Sequence, residues 1–312
     1  MVDVSVVIPT RNRAALASRA VASALAQKDV AVQVIVVDDG STDRTPSLAQ
    51  GWRGRGVEVV TSQAAGVSTA RNLGLARCRA PWVAFLDDDD LWAPTKLARQ
   101  LAALRDTPQA RWSCTACVWV DESDRIIGSA APPALFQPEQ LLTRNTVPGG
   151  GSTMLVDREL VLSVGGFDED LRLFEDWDAW IRLALASPGI GLSAPLAAFR
   201  IWRSTTTAAG AGLTPAWERV AGCYAAVARE HGVAADRRAL EEFVAFRRLR
   251  AAEYGEAAAA YRRLGKGPLA KVVRCAGPLW TWLQTERGRR SVPARWRKEA
   301  DAWLAEVPQP SD

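Results

Sequence analysis

Four consecutive carboxylates, Asp87–Asp90, are the residues of this chain that most directly imply a ligand. They follow the apolar run Trp82–Leu86, which is typical of a buried strand, and Pro94 is placed to open a helix over Thr95–Arg105. The acids are therefore predicted at the carboxyl end of a strand, where open α/β sheets bind ligands. Hard oxygen ligands at such a position point to Mg²⁺ or Mn²⁺ holding phosphates, and the alternative is a solvated acidic turn.

A second group of polar side chains follows the first two predicted strands, Val4–Ile8, which Pro9 closes, and Val32–Val37. These side chains are Thr10, Asn12, Asp38 and Asp39. Neighbouring parallel strands would bring them into one crevice at the edge of the sheet. A carboxylate in that crevice can accept the N3–H of uracil or thymine. The alternative is a plain turn, because Asp-Gly is a good turn dipeptide.

The elements that position these groups alternate between strand and helix over the first 110 residues. Helices are predicted over Ala14–Gln27 and Gly66–Cys78, and a third strand over Val57–Thr61. Because the links are short, this part of the chain is predicted to form a doubly wound α/β sheet, built from right-handed βαβ units and flanked by helices.

The alternation stops after residue 110. The next predicted strands are Arg111–Val120, Asp124–Ser129, Thr153–Val156 and Ala197–Trp202. The predicted loops are the proline-rich Ala131–Pro138 and the glycine-rich, flexible Pro148–Ser152. A helix is predicted to open at Phe174 and to continue to about Ala186.

From Thr214 onward the sequence is rich in Ala and Arg and is predicted to be helical. The candidate helices are Pro215–Glu230, Ala235–Glu253 and Gly255–Arg263, with a break at Gly265–Pro268. We therefore divide the chain into an α/β part over residues 1–110, a second part of the same domain over 111–205, and a helical, basic extension over 206–312.

Five sequence motifs follow one another in an order that is far more specific than any one of them. They are Val-Val-Ile-Pro-Thr-Arg-Asn (6–12), Val-Ile-Val-Val-Asp-Asp-Gly-Ser (34–41), Gly-Val-Ser-Thr-Ala-Arg-Asn-Leu-Gly (66–74), Phe-Leu-Asp-Asp-Asp-Asp-Leu-Trp-Ala-Pro (85–94), and Gly-Gly-Phe-Asp-Glu (165–169) with Glu175 and Asp176. Together they resemble the family 2 glycosyltransferases, over roughly residues 3–205. The resemblance implies the GT-A fold, a doubly wound mixed sheet flanked by helices, with residues 1–110 binding a nucleotide sugar and 111–205 forming the acceptor-binding and catalytic half.

The resemblance implies a donor site at the strand ends. It places Asp39, with Asp38 beside it, on the base, and Asp87 on the ribose. It makes Asp89 the direct ligand of a divalent ion, Mn²⁺ or Mg²⁺, which neutralises the leaving diphosphate, and gives Asp90 a supporting role. The nucleotide-sugar-binding residues predicted in this way are Pro9, Thr10, Asn12, Asp38, Asp39, Arg71, Asp87, Asp88 and Arg203. Asn72 is predicted to order a loop.

Glu175 and Asp176, at the start of a predicted helix, are the candidate catalytic acids. An inverting displacement needs one base opposite the leaving group, since no covalent intermediate forms. The resemblance makes Asp176 that base and Glu175 the residue that orients it or touches the acceptor. A helix N-terminus favours the carboxylate form, and the alternative is a pair of ordinary helix charges. Gly149–Ser152 is predicted to let donor and acceptor approach the backbone closely.

The chain departs from the family pattern after the last predicted strand. Many relatives carry His there in an Arg-x-His pattern, whereas this chain has Trp202 two residues after Arg200. The one histidine of the sequence, His231, lies in the helical extension. We therefore predict that no His contacts the metal or the diphosphate, and Arg203 is the candidate for a positive charge there.

The net charge of +4 is unevenly distributed. Between Arg247 and Glu299 there are 14 Lys and Arg against 4 Asp and Glu, a net of +10, so the rest of the chain is near −6. Trp280, Trp282 and Trp296 among these basic residues resemble an interfacial segment. A peripheral membrane contact and a helical unit that packs on the catalytic part or forms a homodimer both stay open, and nucleic acid is the least favoured partner.

Three further features bear on the compartment. The chain has no uninterrupted apolar run of about 18 residues, and its N-terminus lacks the pattern of a signal peptide. Cys114 and Cys117 have the spacing of a redox or zinc pair, but they lie in a predicted strand without a second pair nearby, which favours structural thiols. We expect a cytoplasmic protein, with peripheral contact to the inner face of the membrane as one option.

These predictions combine into an inverting glycosyltransferase. Its donor is expected to be a UDP-sugar, or a dTDP-sugar as second choice, and its acceptor a hydroxyl on a glycan, a lipid-linked molecule or a small molecule. The alternatives are a family member that binds a nucleotide without catalysis, and a nucleotidyltransferase. A dehydrogenase is excluded because the residues after the first strand, Pro9–Asn12, lack the G-x-G-x-x-G glycines.

Overall fold

The computed structural model of the chain describes residues 2–202 and 212–307. Its strands are Val4–Thr10 (β1), Val32–Asp38 (β2), Glu58–Thr61 (β3), Trp82–Phe85 (β4), Leu91–Trp92 (β5), Trp112–Val120 (β6), Ile126–Ala130 (β7), Leu135–Phe136 (β8), Met154–Asp157 (β9) and Gly189–Arg200 (β10). Its helices are Ala14–Leu25 (α1), Thr45–Arg53 (α2), Val67–Leu75 (α3), Lys96–Arg105 (α4), Pro138–Thr143 (α5), Arg158–Ser163 (α6), Glu175–Ala186 (α7), Leu213–Cys223 (α8), Ala225–Glu230 (α9), Arg237–Arg250 (α10), Tyr254–Arg263 (α11), Gly267–Ser291 (α12) and Ala294–Leu304 (α13).

Within the described residues the strands form one ten-stranded mixed sheet, in the order β3-β2-β1-β4-β9-β6-β10-β5, with β7 on β6 and β8 on β10. β1 lies parallel between β2 and β4, whereas β9 is antiparallel to both β4 and β6. β9 therefore joins the parallel part of the sheet to the strands that follow residue 110. The predicted mixed α/β sheet is confirmed. The division at residue 110 stays a prediction, because one sheet crosses it.

Helices cover both faces of the sheet, and the central strand β1 shows why. All of its residues are buried, and successive side chains of a strand point to opposite faces. Val6 and Ile8 belong to the buried cluster that includes α1, α2 and α4, while Val7 belongs to the cluster that includes α3 and α7. A strand buried on both faces has a continuous apolar sequence. β1 continues through Pro9 to Thr10, so the prediction that Pro9 closes it is wrong.

Two other predictions about strands are wrong in extent. The last strand, β10, begins at Gly189 rather than Ala197, and it ends at Arg200, so that Trp202 lies beyond it. The glycine at 189 hid the pattern but is required by packing, because a Cβ there would lie 2.1 Å from the ring of Trp112. The loop predicted over 131–138 contains β8, which pairs with β10.

The helical extension differs from its prediction in two places. The helix predicted over 215–230 is divided at Tyr224 into α8 and α9. α12 begins inside the predicted break, at Gly267 with Pro268 in its first turn, and runs for 25 residues through a kink at Ala276, near Pro278. No described helix, α12 included, is long and apolar enough to cross a membrane.

The extension packs on the sheet through two helices. Trp303 of α13 shares a buried cluster with Val118 of β6 and Leu196 of β10. α12 meets β7 at Gly288, where a Cβ would lie 2.5 Å from the carbonyl oxygen of Ile127. α12 also packs against α10 and α11. The C-terminal end of α12 is therefore held against the sheet by a backbone contact that only glycine permits.

The cysteine pair of β6 is structural. Cys114 and Cys117 are both buried free thiols, and they belong to the buried clusters on opposite faces of the sheet. Burial raises the pKa of each thiol well above its usual range. The prediction of structural thiols is therefore confirmed, since side chains on opposite faces cannot form one redox or zinc pair.

Candidate active site

The acidic turn Asp87–Asp90 links β4 to β5, and its last residue anchors it. Asp90 is buried, its Oδ2 accepts a hydrogen bond from Ser152 Oγ at 2.6 Å, and its Oδ1 accepts one from the backbone N–H of Arg200 at 2.8 Å. Burial and the neighbouring carboxylates raise the pKa of Asp90 well above its usual range. Asp90 therefore ties the acidic turn to the glycine-rich turn and to the end of β10.

Arg13 neutralises the two middle acids of this turn. Its Nη1 lies 3.0 Å from Asp88 Oδ1 and 2.8 Å from Asp89 Oδ2, and Thr10 Oγ1 donates to Asp88 Oδ2 at 2.7 Å. Burial, and then the charge of Asp89, raises the pKa of Asp88 to about 7. Sequence reasoning missed Arg13, because nothing in the sequence tells whether Arg11 or Arg13 faces the acids.

Trp202, which replaces the His of the family pattern, contacts the same carboxylate as Arg13. Its indole Nε1–H donates to Asp89 Oδ2 at 2.8 Å. The guanidinium carbons of Arg13 and Arg200 lie 5.9 and 5.8 Å from the centre of its ring. An indole N–H donates but does not coordinate, so Trp202 positions Asp89 instead of binding a metal. Arg203, the other residue predicted here, lies outside the described residues.

The carboxylates offer few protein ligands to a metal ion. Within residues 2–202 and 212–307, no group of three or more His, Cys, Asp or Glu side chains is arranged to hold one. Among the described residues, Arg13 and Trp202 both donate to Asp89 Oδ2, and none of these donors occupies Oδ1, which can bind a hard cation. Mg²⁺ typically takes one or two carboxylates and fills its other positions with phosphate oxygens and water. The residues therefore fit a divalent ion that a diphosphate also holds.

The predicted base crevice is assembled at the ends of β1 and β2. Thr10 and Asp38 are direct partners in the parallel pairing of these strands. The carboxylate of Asp39 accepts hydrogen bonds from the hydroxyl of Ser62 and from two backbone N–H groups of the loop after β3, both at 2.9 Å. A carboxylate has about four acceptor positions. Asp39 therefore holds that loop and keeps one position for a further donor.

Asn12 and Asp38 use their side chains to hold the loop after β2. Asn12 has a φ of 55°, a left-handed conformation that Asn tolerates, and its Oδ1 accepts the backbone N–H of Thr42 at 2.7 Å. Asp38 Oδ1 accepts the backbone N–H of Ser41 at 3.0 Å. The predicted contacts of Pro9, Asn12 and Asp38 with a nucleotide stay predictions.

A buried guanidinium joins the donor side to the candidate catalytic pair. Arg71 of α3 places Nη2 2.7 Å from Asp87 Oδ1 and Nη1 3.0 Å from Glu175 Oε1. Burial alone would lower the pKa of Arg71, but the two carboxylates raise it above its usual range. Arg71 thus fixes the spacing of Asp87 and Glu175, and its predicted contact with a base or a phosphate stays a prediction.

Asn72 docks the Gly-Gly-Phe-Asp-Glu motif onto α3. Its Nδ2 donates to the carbonyl of Phe167 at 2.8 Å and to Glu169 Oε1 at 2.9 Å, and its Oδ1 accepts the N–H of Phe167 at 2.9 Å. A Cβ at Gly166 would lie 2.6 Å from Asn72 Oδ1, so the motif needs glycine there. The prediction that Asn72 orders a loop is confirmed.

Asp176 lies in the first turn of α7, directly after Glu175. Its Oδ1 accepts the backbone N–H of Trp177 at 2.6 Å, and its Oδ2 lies 3.5 Å from Asn145 Nδ2. Burial, and then the charge of Glu175, raises the pKa of Asp176 to about 7. A carboxylate with such a pKa can accept a proton near neutral pH.

The glycine-rich segment, predicted as a flexible loop, is a 3₁₀ turn over Gly150–Thr153. Ser152 Oγ accepts the backbone N–H of Asp87 at 3.0 Å and itself donates to Asp90. A Cβ at Gly150 would lie 3.6 Å from Asp176 Oδ2. The turn therefore connects the acidic turn to the candidate base, and Ser152 is a site residue that its glycine neighbours obscured.

A cavity of about 870 Å³ extends from Asp176 to the helical extension. Asp87, Glu175 and Asp176 lie in its wall at one end. Its aromatic side chains include Trp119, Phe174, Phe199, Trp217, Phe243 and Phe246. Its arginines outside α3 are Arg144, Arg247, Arg250 and Arg287. The cavity is therefore acidic where the candidate base lies and aromatic and basic along α10 and α12, a wall that the sequence did not predict.

A family model places the chain among known proteins. The model described as Glycosyl transferase family 2 matches residues 5–161, just over half of the 312 residues. The match contains the acidic turn, the base crevice and Arg71, and it ends before Glu175 and Asp176.

Curated relatives cover a similar part of the chain. An uncharacterized glycosyltransferase of Haemophilus influenzae is 27% identical over 181 residues, which cover 57% of this chain and 61% of the relative. The succinoglycan biosynthesis protein ExoU of Rhizobium meliloti is 33% identical over 204 residues, which cover 59% of this chain and 57% of that protein. The chain thus spans about three fifths of the length of the curated relatives it matches.

Solved structures resemble nearly the whole chain. S. aureus TarS 1-349 in complex with UDP-GlcNAc has a TM-score of 0.57 and 16% identity, and the match covers 92% of this chain and 91% of that chain. The mannosyltransferase PcManGT from Pyrobaculum calidifontis, in complex with GDP-Man and Mn²⁺, has a TM-score of 0.53 and 20% identity, with 96% and 86% covered. At these identities the likeness concerns the fold, and the predicted GT-A fold is confirmed.

Proposed function

The chain belongs to glycosyl transferase family 2, and we propose that it transfers a sugar from a nucleotide diphosphate sugar to an acceptor hydroxyl, with inversion at the anomeric carbon. The observation that carries this proposal is the position of Asp176, between the donor-side acids and the aromatic cavity. Burial raises the pKa of Asp176 to about 7, which suits a base at neutral pH. A single displacement needs no second catalytic carboxylate.

Asp176 Oδ2 is the atom to which we assign the acceptor proton. Its Oδ1 is held by the backbone N–H of Trp177, whereas Oδ2 has a long contact with Asn145 and faces the glycine turn. The acceptor oxygen gives its proton to Oδ2 as it bonds the anomeric carbon, and the bond from that carbon to the diphosphate oxygen breaks. Arg71 holds Glu175 beside the base, and the charge of Glu175 raises the pKa of Asp176, which favours protonation of Asp176.

The base crevice supports a UDP-sugar as donor and a dTDP-sugar as second choice. Asp39 keeps one acceptor position, and uracil and thymine both present an N3–H donor. TarS, which has the same fold, was solved with UDP-GlcNAc, and this supports the choice. GDP stays an alternative, because PcManGT was solved with GDP-Man and guanine also carries a ring N–H.

A divalent ion, Mn²⁺ or Mg²⁺, fits beside Asp89 in this proposal. Asp89 Oδ1 would hold the ion, Asp87 would contact the ribose, and Asp88 would stay bound to Arg13 and Thr10. When bound, such an ion neutralises the charge on the leaving diphosphate. PcManGT was solved with Mn²⁺, which supports the choice of metal.

The aromatic and basic cavity is the proposed acceptor side. It adjoins the proposed base, and its walls suit an acceptor with an apolar or ring face. Glycan, lipid-linked and small-molecule acceptors all fit this description. A homodimer and a cytoplasmic location, with or without peripheral contact to the membrane, stay predictions.

The decisive experiment is a panel of nucleotide sugars, scored by thermal shift with Mn²⁺ and then by release of the nucleoside diphosphate. A ligand that binds the native state raises its apparent stability. In Asp176→Asn we expect unchanged donor binding and a turnover about 10²–10⁴-fold lower. The matched control is Asp170→Asn, whose side chain is 86% exposed.

Two results would favour the alternatives. Donor binding without any turnover in the unmodified chain would indicate a non-catalytic family member. Release of pyrophosphate from a nucleoside triphosphate and a sugar phosphate would indicate a nucleotidyltransferase. Equal loss of turnover in Asp176→Asn and Asp170→Asn would remove Asp176 from the base role.

A further inference from the structure

The outer face of α12 carries large apolar side chains that the rest of the described chain leaves exposed. Leu279, Trp282 and Leu283 are 58%, 57% and 43% exposed, and their i, i+3, i+4 spacing puts them on one face of the helix. Six of the twelve large apolar side chains that are exposed in residues 2–202 and 212–307 belong to α10 and α12. Exposed apolar surface is therefore concentrated in the extension instead of scattered, which marks an interaction surface.

Positive charges flank this apolar stripe of Leu279, Trp282 and Leu283. The basic residues of α12 are Lys271, Arg274, Arg287, Arg289 and Arg290. Its one acid, Glu286, pairs with Arg289 at 2.9 Å. Four of these side chains are exposed: Lys271, Arg274, Arg287 and Arg290. An amphipathic helix with an apolar stripe and basic flanks suits the interface of an anionic bilayer.

The structure also shows which tryptophans are available for such a contact. Trp280 packs against the buried cluster that contains Val273, and Trp296 packs against the cluster that contains Val292. Of the three tryptophans that the sequence suggested, Trp282 is the one with an exposed ring. The surface is therefore one face of one helix and not the basic tail as a whole.

The opposite face of α12 lines the cavity beside the proposed base. Thr281, Gln284, Thr285 and Gly288 belong to the cavity wall. Because α12 is held against β7 at Gly288, its outer face and the cavity keep a fixed relation. A surface that binds the stripe would therefore lie close to the cavity.

We propose that the stripe of α12 binds the surface of an anionic lipid bilayer. Leu279, Trp282 and Leu283 insert into the interface of the bilayer, and anionic headgroups pair with the basic side chains of α12. A second copy of this chain is a poorer occupant, because two facing stripes would bring like charges together. The helix lies on the surface without spanning it. In combination with the proposed function, this contact assigns the acceptor to molecules held in the membrane.

The test is co-sedimentation of the full chain with vesicles of phosphatidylcholine, with and without phosphatidylglycerol. We expect binding to the anionic vesicles, little binding to pure phosphatidylcholine, and release by salt. The double variant Leu279→Ser/Trp282→Ser is expected to lower the partition coefficient about tenfold or more. Lys271→Gln/Arg290→Gln is expected to lower it about fivefold for each charge removed.

Matched controls separate this contact from general effects. Leu162→Ser removes a side chain of α6 that is 46% exposed, and Lys28→Gln removes an exposed charge outside the extension. Both should leave the partition coefficient unchanged, and all variants should keep the melting temperature of the unmodified chain. Donor binding, measured by thermal shift in the same preparations, reports separately on the proposed function.

Three results would overturn the proposal. The first is no binding to anionic vesicles, or equal binding to both kinds of vesicle. The second is an equal loss of binding in Leu162→Ser. The third is a lipid-free dimer, seen by sedimentation, that Trp282→Ser abolishes, since it would assign the stripe to self-association.

Discussion

The two ends of the cavity differ in how firmly their side chains are fixed by the rest of the protein. Beside Asp87, which lines the acidic end, Asp88, Asp89 and Asp90 of the same turn all accept hydrogen bonds from side chains of the protein, and the turn joins two strands of the sheet. At the other end, Phe243 and Phe246 of α10 remain 40% and 37% exposed beside arginines. The first region is organised before any ligand arrives, whereas the second has apolar surface still to cover.

This difference indicates that the acidic end is suited to the chemical step and the aromatic end to the recognition of a larger ligand. Fixed carboxylates and guanidinium groups suit chemistry that must occur at defined atoms, because they need no reorganisation during the reaction. Incompletely covered aromatic surface suits a larger ligand whose apolar part completes the packing. Four variants test this contrast between the two regions.

The effect of Asp89→Asn on activity should exceed the effects on stability and on acceptor binding that the next three variants test, because it removes a charge from the preorganised end. We expect kcat/KM to fall about 10²–10³-fold and the stimulation by Mn²⁺ to weaken. Steady-state release of the nucleoside diphosphate at several Mn²⁺ concentrations measures both. Asp106→Asn, an exposed acid at the end of α4, is the control. Undiminished turnover in Asp89→Asn would show that the acidic end needs no fixed charge.

Asp176→Asn should stabilise the protein near pH 8 while it removes activity. The pKa of Asp176 is raised from 3.8 to about 7 in the folded chain, so the native state binds an extra proton between these values. The stability from this group is present below about pH 4 and is lost as the pH rises through about 7. The variant should therefore gain about 2 kcal/mol near pH 8, with a flatter pH dependence.

Urea unfolding near pH 5 and near pH 8 measures this difference, with Asp170→Asn as the exposed control. A stability difference between Asp176→Asn and the unmodified chain that does not change with pH would show that Asp176 has an ordinary pKa. In that case the acidic end would be less preorganised than its hydrogen bonds indicate.

Gly288→Ala tests how firmly the second region is attached to the sheet. A Cβ there would lie 2.5 Å from the carbonyl oxygen of Ile127, so α12 must shift away from β7. We expect a loss of about 1–2 kcal/mol in the free energy of unfolding. Gly222→Ala in α8 is the control, since a Cβ there meets nothing within 4 Å and helical Ala is favourable. Equal stability of the two variants would mean that α12 is loosely held.

Phe243→Ser should have the smallest effect, and this effect should be limited to the binding of the acceptor. We expect the acceptor KM to rise about fivefold, while the rate of donor hydrolysis without acceptor stays the same. Leu48→Ser of α2, which removes a side chain with 36% exposure, is the control. A change in donor hydrolysis would show that the two ends of the cavity are coupled.

The strand ends were predicted well because their patterns are local. Val4–Ile8 is apolar except for Ser5, as is typical of a strand buried on both faces, and the polar Thr10 and Asn12 follow shortly after it. The elements that were missed have patterns that packing overrides. Gly189 in β10 weakens the strand pattern, yet the ring of Trp112 leaves room for nothing larger.

The sequence alone was sufficient to identify the family, the polar residues that follow the first strands, and the acids at residues 87–90 and 175–176. The groups that contact those acids became known only from the three-dimensional arrangement of the chain. Arg13 contacts Asp88 across 75 residues of sequence, and Trp202 contacts Asp89 across 113. The physical reason is that a local pattern reports which face of an element is buried, whereas the partners of a charge depend on how distant elements pack. The same packing gave α12 one face in the cavity and one face in solvent.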